Sequence, residues 1–425
     1  MFSFLLIAMT AVTCAVMYYS MKKDQGYEIN HLMLFSFGFF YYVIFPLIVG
    51  NWDLWPSGDF KTMWQSYYDD VNHDNLTKAF VLLIVWYASF YAGALVGLRK
   101  KKTPAAPIVF NRKKRYFVAV PIVLFCLYLL YVFRSLLFTG YELVFTASVE
   151  GSNLGGALGV AAMTLLMIYI ADVWELAREK RTFRHYFLNP FLVSFLFFGL
   201  MIASMGSRTT LFLGVVSVII AYSCVRRPLS AKTLVLLATG GLIAFGFIGL
   251  WRMKGEFQIA EVVQNALGES MGTSFSFLNE ASKPDIEWFQ NPAPFLSLFL
   301  NIVPTFILPD KTLIMMTTQS RDLDIYSPFG AEHMYFGFMT NFGFVGGMIV
   351  LFGMGLILSR LYIGKETSAL KCMIYVFASA CLPTMLYRDP LQGSLVKHMF
   401  EIGTLIPLVL APFILSKKRK TGIRA

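Results

Sequence analysis

The sequence has few charged residues. Only 14% of its 425 residues are Asp, Glu, Lys or Arg, whereas an average soluble domain carries about 25%. Hydrophobic residues make up 57% of the chain, which includes 41 Phe and 21 Tyr. A soluble fold of this length could not bury so much apolar surface, but a lipid bilayer can receive it. The composition therefore excludes an ordinary soluble protein and predicts one that lies in a membrane.

The sequence also lacks the motifs of several common enzyme classes. It has no phosphate-binding P-loop, no Gly-x-Ser-x-Gly elbow and no His-Glu-x-x-His motif, which argues against ATP-driven transport and proteolysis. Its five cysteines have no Cys-x-x-Cys or Cys/His spacing and lie in apolar runs. We therefore expect no disulfide, no metal and no cofactor. Because Lys22-Lys23 follows the first apolar run instead of preceding it, that run is predicted to be a retained span.

Long apolar runs dominate the chain. A helix needs roughly 20 mostly apolar residues to cross a bilayer. The runs predict an all-α polytopic membrane protein, with about eleven transmembrane helices in a single membrane domain formed by residues 1–425. The predicted spans are 2–20, 31–50, 79–98, 116–138, 156–173, 190–205, 209–225, 233–251, 333–358, 369–387 and 394–416.

The basic residues are distributed unevenly between the connections. Basic runs such as Arg99–Lys102 and Lys417–Lys420 recur in every second connection, and the connections between them carry few Lys or Arg. Because basic loops stay in the cytoplasm, this alternation predicts an external N-terminus and a cytoplasmic C-terminus. The same bias, together with attraction to anionic membrane lipids, accounts for the net charge of +11. We therefore expect no nucleic-acid partner.

One non-cytoplasmic connection, residues 252–332, is unusually long. Structureless loops beyond about 15 residues are usually functional or contain elements of their own. Within this connection Phe295–Leu308 is apolar but too short to span. That segment is expected to lie in the membrane interface or to re-enter the bilayer.

Several arginines lie at the non-cytoplasmic ends of the predicted spans. Gly206-Ser207-Arg208 is a tight turn before a helix, and free backbone N–H groups beside an Arg suit a phosphate. The same turn can instead contact lipid headgroups. Arg252 lies where another span exits, and Arg388 beside Asp389 can form either a local ion pair or an anion contact.

Two further groups of residues carry possible chemistry. Glu332 and His333 begin a predicted span, and both side chains can accept a proton near neutral pH. A Glu at a helix start is also ordinary compensation of the helix dipole. Arg321 precedes Asp322 and Asp324, a pair of the kind that holds a divalent ion against a pyrophosphate. Three residues are a weak signal, so no metal site is predicted there.

The whole arrangement resembles the Wzy-type oligosaccharide repeat-unit polymerases of bacteria, which are related to O-antigen ligases. The resemblance is carried by the span count with one large outer loop, by the Gly206-Ser207-Arg208 turn, and by Glu332 followed by Asn341–Gly346. In the ligases a His stands eleven residues before the first of two glycines. Here Glu332 stands eleven residues before Gly343, and His333 is one residue away from that position. This departure favours a polymerase over a ligase.

The resemblance implies a GT-C-like membrane glycosyltransferase. It would transfer a growing glycan from undecaprenyl pyrophosphate to a sugar hydroxyl of a second lipid-linked repeat unit, giving an O-antigen or capsular polysaccharide. The reaction would take place at the outer face of the plasma (inner) membrane. The resemblance makes either Glu332 or His333 the base. The residues expected to bind the pyrophosphate are Ser207, Arg208, Arg252, Arg321 and Arg388.

Two alternatives and one partner remain open at this point. An O-antigen ligase would use the same donor lipid with another acceptor. A lipid-linked glycan flippase or transporter often has paired halves, and none are apparent here. A polysaccharide chain-length regulator is a possible protein partner.

Overall fold

A computed structural model describes most of the chain. For some helical residues, Arg208 and Arg252 among them, it describes the backbone alone. The described residues are 1–23, 26–55, 59–99, 109–110, 112–132, 134–137, 149–178, 183–205, 208–226, 228–253, 259–303, 307–311, 313–314 and 331–416.

The described chain is almost entirely helical. In the first half the helices are α1 (Phe2–Met21), α2 (His31–Phe39), α3 (Phe45–Asn51), α4 (Asp59–Asp70), α5 (His73–Leu98), α6 (Arg112–Val132), α7 (Val149–Arg178), α8 (Phe183–Phe187) and α9 (Pro190–Ser204). In the second half they are α10 (Arg208–Ala221), α11 (Ala231–Met253), α12 (Ile259–Ala281), α13 (Ala293–Ser297), α14 (Met334–Gly364), α15 (Ala369–Cys381), α16 (Met385–Arg388) and α17 (Ile406–Ile414).

Shorter elements join these helices. The π-helical turns are Phe40–Ile44, Tyr222–Arg226 and Gln392–Leu405, and the 3-10 turns are Arg134–Leu136 and Leu298–Ile302. The strands are β1 (Lys22–Lys23), β2 (Gly26–Tyr27), β3 (Val109–Phe110) and β4 (Leu415–Ser416). They form two small antiparallel sheets, in which β1 pairs with β2 and β3 pairs with β4.

Eight helical segments of the described chain are long and apolar enough to cross a membrane, so the chain is an all-α polytopic membrane protein. They are Phe2–Met21, His31–Asn51, His73–Leu98, Lys114–Val132, Gly156–Leu176, Thr209–Arg226, Met334–Gly364 and Gln392–Ile414. The other three predicted spans fall on α9, on α11, and on α15 with α16. The count of eleven crossings stays a prediction.

Asparagines fix where several helices begin. The side chain of Asn30 accepts hydrogen bonds from the backbone N–H groups of Leu32 and Met33 at the start of α2. Asn189 accepts one from Phe191 at the start of α9. These side chains satisfy donors that have no partner within the helix. Unpaired backbone groups are especially costly in or near lipid, so such caps matter here.

Helices α5 and α14 pack together through glycines. A Cβ at Gly93 would overlap the carbonyl oxygen of Phe352, and a Cβ at Gly355 would overlap the carbonyl oxygen of Phe90. The two backbones therefore touch directly, as small residues allow between membrane helices. This glycine seam, formed by Gly93 and Gly355, is the close contact that holds α14 in place.

Helix α14 is interrupted at Gly343. This residue has φ 69° and ψ −179°, a conformation that favours glycine. The backbone N–H groups after the break bond outside the helix: Phe344 donates to the Glu287 carbonyl at 2.8 Å, and Val345 donates to that of Trp288 at 3.1 Å. The break therefore divides α14 into two parts. Residues 334–342, which the predicted orientation puts on the non-cytoplasmic side, are called the outer half-helix, and the longer segment after the break packs on α5.

Buried ion pairs connect segments at the predicted cytoplasmic side. The fully buried Arg115 binds both Asp172 and Glu175. The Lys365 ammonium lies 2.5 Å from the Glu28 carboxylate and joins the loop after α14 to the start of α2. Removing one member of such a pair leaves an uncompensated buried charge, so these contacts fix the relative positions of the helices.

The glycine seam predicts a difference between two neighbouring glycines of α14. We expect Gly355→Ala to lower the free energy of unfolding by about 1–3 kcal/mol, because the new methyl group has no room against α5. Gly353 faces open space, so Gly353→Ala is the matched control and should change it by less than about 0.5 kcal/mol. Denaturant unfolding in lipid–detergent micelles measures both. Equal effects would contradict the seam.

Candidate functional site

A cleft lies where three segments of the chain meet. The start of α10, the middle of α12 and the turn around α16 form its walls. Its lining residues are Thr209, Phe212, Glu269, Thr384, Met385, Arg388 and Asp389. We call it the arginine cleft.

Arg388 is held by two carboxylates in the arginine cleft. Its Nε lies 2.6 Å from Glu269 Oε1, and its Nη1 lies 3.1 Å from Asp389 Oδ1. The three side chains are 22%, 9% and 18% exposed, so solvent screens the charges only weakly. The local ion pair with Asp389, one of the two sequence interpretations, is therefore present. The second partner, Glu269, comes from the long connection 252–332.

Glu332 lies directly beside this group. Its backbone N–H donates to the Arg388 carbonyl oxygen at 2.7 Å. Burial raises the pKa of the Glu332 carboxyl to about 7, although the backbone N–H of Leu391 opposes the rise by donating to the carboxylate; the nearby Asp389 raises the pKa further. A carboxyl that titrates near neutral pH can both accept and release a proton under working conditions.

A glycine leaves room for the Glu332 carboxylate. A Cβ at Gly337 would lie 2.5 Å from Glu332 Oε1 and 3.1 Å from Cγ of Leu391. Any larger residue at position 337 therefore has to displace the carboxylate or the leucine. Because residue 337 is a glycine, the outer half-helix leaves space for this carboxylate.

His333 is engaged on both sides of its ring. It is fully buried, and its side chain caps α14: Nδ1 accepts a hydrogen bond from the Tyr335 backbone N–H at 3.1 Å. Nδ1 therefore carries no proton, and Nε2 donates to the Tyr42 carbonyl oxygen at 3.1 Å. Neither nitrogen has a lone pair available for a substrate.

In and beside the arginine cleft, the described side chains include more carboxylates than guanidinium groups. Arg388 faces Glu269 and Asp389, with Glu332 alongside. Burial raises the pKa of Asp389 as well, Arg388 lowers it, and Glu269 raises it. Protonation of Glu332 near pH 7 therefore reduces the negative charge beside the cleft.

The other predicted site residues are described to different extents. Arg208 is the first residue of α10, and its neighbour Thr209 lines the arginine cleft. Arg252 falls in the last turn of α11. Ser207 and Arg321 lie outside the described residues. The structure thus brings together Glu332, Arg388 and the beginning of α10.

Sequence reasoning missed Glu269. It lies on α12, which also carries buried hydroxyl side chains at Ser270, Thr273, Ser274 and Ser276. Small polar residues crowded on one helix of a membrane protein are a signal that the helix packs inside the bundle. That signal could have directed attention to the acid beside them.

Asp322 and Asp324 also lie outside the described residues, so the structure gives no view of that pair. Among the residues that it does describe, no group of three or more His, Cys, Asp or Glu side chains could hold a metal ion.

The helical membrane fold, with titratable carboxylates and an arginine gathered in one cleft, is typical of integral-membrane enzymes. Comparison with protein families identifies the class of membrane enzyme. The family described as O-antigen polysaccharide polymerase Wzy matches residues 1–317. The chain therefore belongs to this family of multi-pass inner-membrane enzymes, which polymerise lipid-linked oligosaccharide repeat units. No curated protein and no solved structure matches the chain significantly.

The family match confirms the predicted resemblance and the predicted polymerisation of O-antigen repeat units, and it does not favour the ligase or transporter alternatives. Its range includes Arg208, Arg252 and Glu269 but ends before Glu332 and Arg388. The roles of the last two residues therefore depend on geometry alone.

The tight space beside Glu332 leads to a test in whole cells. We expect Gly337→Ala to shorten the O-antigen chains markedly, because the methyl group displaces the carboxylate. Gly393 is the matched control, since a Cβ there meets only Asp389 Cβ at an ordinary 3.8 Å. Gel electrophoresis of lipopolysaccharide measures chain length, and immunoblotting confirms protein levels. Native-length chains from a well-expressed Gly337→Ala variant would contradict the assignment.

Proposed function

We propose that the arginine cleft is the site of glycosyl transfer, and that the enzyme is a GT-C-like membrane glycosyltransferase. The observation that carries this proposal is that Arg388 and the start of α10 line one cleft, with the backbone N–H of Glu332 bonded to the Arg388 carbonyl beside it. These residues are far apart in the chain. They supply a proton acceptor, a cation and the positive end of a helix, which are the groups that transfer from a lipid pyrophosphate requires.

Glu332 acts as the general base. It takes the proton from a sugar hydroxyl of one lipid-linked repeat unit while the hydroxyl oxygen attacks the anomeric carbon of the growing glycan. The new glycosidic C–O bond forms as the bond from the anomeric carbon to the pyrophosphate oxygen breaks. The leaving oxygen keeps the bonding electron pair. A base whose pKa is about 7 is well matched to this step.

The geometry favours Glu332 over His333 as the base. Both ring nitrogens of His333 already take part in hydrogen bonds to the protein backbone. We therefore assign His333 a positioning role: it caps α14 and fixes the backbone next to Glu332.

The leaving pyrophosphate is stabilised at the start of α10. Arg208 opens this helix, and the helix dipole adds partial positive charge there. Arg388 contributes a guanidinium whose plane is fixed by Glu269 and Asp389. Ser207, Arg252 and Arg321 are proposed to complete the pyrophosphate site.

The membrane arrangement belongs to the same proposal. The alternating basic loops support eleven spans, an external N-terminus and a cytoplasmic C-terminus. This orientation puts Glu332 and Arg388 at the outer face, where the substrate is oligosaccharide on undecaprenyl pyrophosphate. A chain-length regulator is the proposed protein partner.

The proposed base predicts a pH-dependent rate. Below about pH 7 the Glu332 carboxyl is protonated and cannot accept the hydroxyl proton, so the rate should fall about tenfold per pH unit. Above that pH it should level off. Polymerisation by purified enzyme with lipid-linked repeat units measures this profile.

Glu332→Gln should reduce that rate by about 10²-fold or more and should remove the acid limb. Glu366→Gln is the control, because Glu366 lies beyond the opposite end of α14. If Glu332→Gln polymerises at the native rate, Glu332 is not the base.

The guanidinium fork of Arg388 leads to a second prediction. Arg388→Lys keeps the charge but loses the planar fork that Glu269 and Asp389 orient, so we expect KM for the lipid-linked donor to rise about tenfold. Adding Glu269→Gln should raise KM little further, because the contact it removes is already lost. Arg360→Lys, on the part of α14 beyond Gly343, is the matched control. If the two changes raise KM additively, Glu269 does not act through Arg388.

A further inference from the structure

A second cleft lies at the C-terminal end of α12. Residues from α5, from the connection after α12 and from the outer half-helix form its walls. The side chains that matter here are Asn75, Lys78, Glu280, Lys283, Asp285 and Tyr335. We call it the balanced cleft.

Glu280 is an unfavourable residue for its position. It is almost fully buried, and it occupies the last turn of α12, where the helix dipole repels a negative charge. Its one short ion pair is with Lys283, 2.6 Å away, and that lysine is 52% exposed. This buried carboxylate, held by Lys283, is a fixed hydrogen-bond acceptor among the residues that line the cleft.

The walls of the balanced cleft are fixed by contacts outside it. Asn75 Nδ2 donates to the Ser282 carbonyl oxygen at 3.1 Å and ties α5 to the end of α12. The Tyr335 ring packs against Trp86, with the centroids 5.4 Å apart, and against Phe277 at 5.3 Å. The cleft is therefore preformed and does not depend on a ligand to assemble it.

The charges around this cleft cancel. Two ammonium groups, Lys78 and Lys283, face two carboxylates, Glu280 and Asp285. The described side chains of this cleft therefore give it no net charge that would attract a phosphate or a metal ion. A neutral ligand with many hydroxyl groups can use all four, because each hydroxyl both donates and accepts hydrogen bonds.

We propose that the balanced cleft binds the sugar portion of a lipid-linked repeat unit. This inference rests on the proposed function of the arginine cleft. Glu269 of the arginine cleft and Glu280 of the balanced cleft are eleven residues apart on α12, about 16 Å along the helix axis. Tyr335 follows Glu332 by three residues. One oligosaccharide can therefore extend from the reacting sugar into the balanced cleft.

Binding of free saccharide tests the proposal without catalysis. The probe is the repeat-unit oligosaccharide of the host, released from its lipid, added to full-length protein in nanodiscs. Saturation-transfer NMR measures its affinity. We expect Glu280→Gln and Lys78→Met each to weaken binding about fivefold, the effect of one lost hydrogen bond to a charged group. Lys78 is exposed, so its replacement should not disturb the fold.

Two controls separate this site from the arginine cleft. Asp74→Asn removes an exposed carboxylate next to Asn75 that does not line the cleft, and it should bind the saccharide normally. Glu332→Gln should also bind normally while it fails to polymerise. Native affinity in both Glu280→Gln and Lys78→Met, or no binding by the native protein at millimolar saccharide, would overturn the proposal. Normal polymerisation by Glu332→Gln would instead refute the base and leave the binding result intact.

Discussion

The ion pairs of Arg388 connect parts of the chain that are otherwise remote. Its guanidinium joins Glu269, from the long connection before α14, to Asp389 at the end of α16. Its carbonyl oxygen accepts from the backbone N–H of Glu332. Arg388 therefore positions both the proposed base, Glu332, and the helix that carries Glu269, α12. In a partly buried setting such charge-assisted contacts are strong, and losing one leaves a charge without compensation.

Much of this arrangement could be predicted from the sequence, and the reasons are physical. Apolar runs indicate helices in lipid, and ionisable residues at their ends are costly enough to be informative. Glu332 and Arg388 were found this way. Glu269 was not, because its partner is more than a hundred residues away and no spacing rule connects them. The hydrogen bond of His333 Nε2 could not be predicted either, since its partner, the Tyr42 carbonyl, comes from another helix.

Helix α12 gives the long connection a role in the site. Its Glu269 lines the arginine cleft, and its Glu280 lines the balanced cleft. The two clefts differ in charge: one has carboxylates in excess around an arginine, and the other is neutral overall. In the proposed arrangement, Glu269 holds the arginine that meets the pyrophosphate end of the lipid-linked oligosaccharide, and Glu280 accepts hydrogen bonds from its hydroxyl-rich end.

The break at Gly343 separates the glycine seam from the end of α14 next to the proposed base, Glu332. The part of α14 after the break is fixed by the glycine seam with α5, and residues on both sides of the break, Phe342, Phe344 and Val345, make backbone hydrogen bonds with the stretch 287–290. That exposed stretch therefore helps to fix the angle between the two parts of α14. Substitutions in that stretch can consequently change the direction of the segment that begins at Glu332 while the glycine seam stays the same.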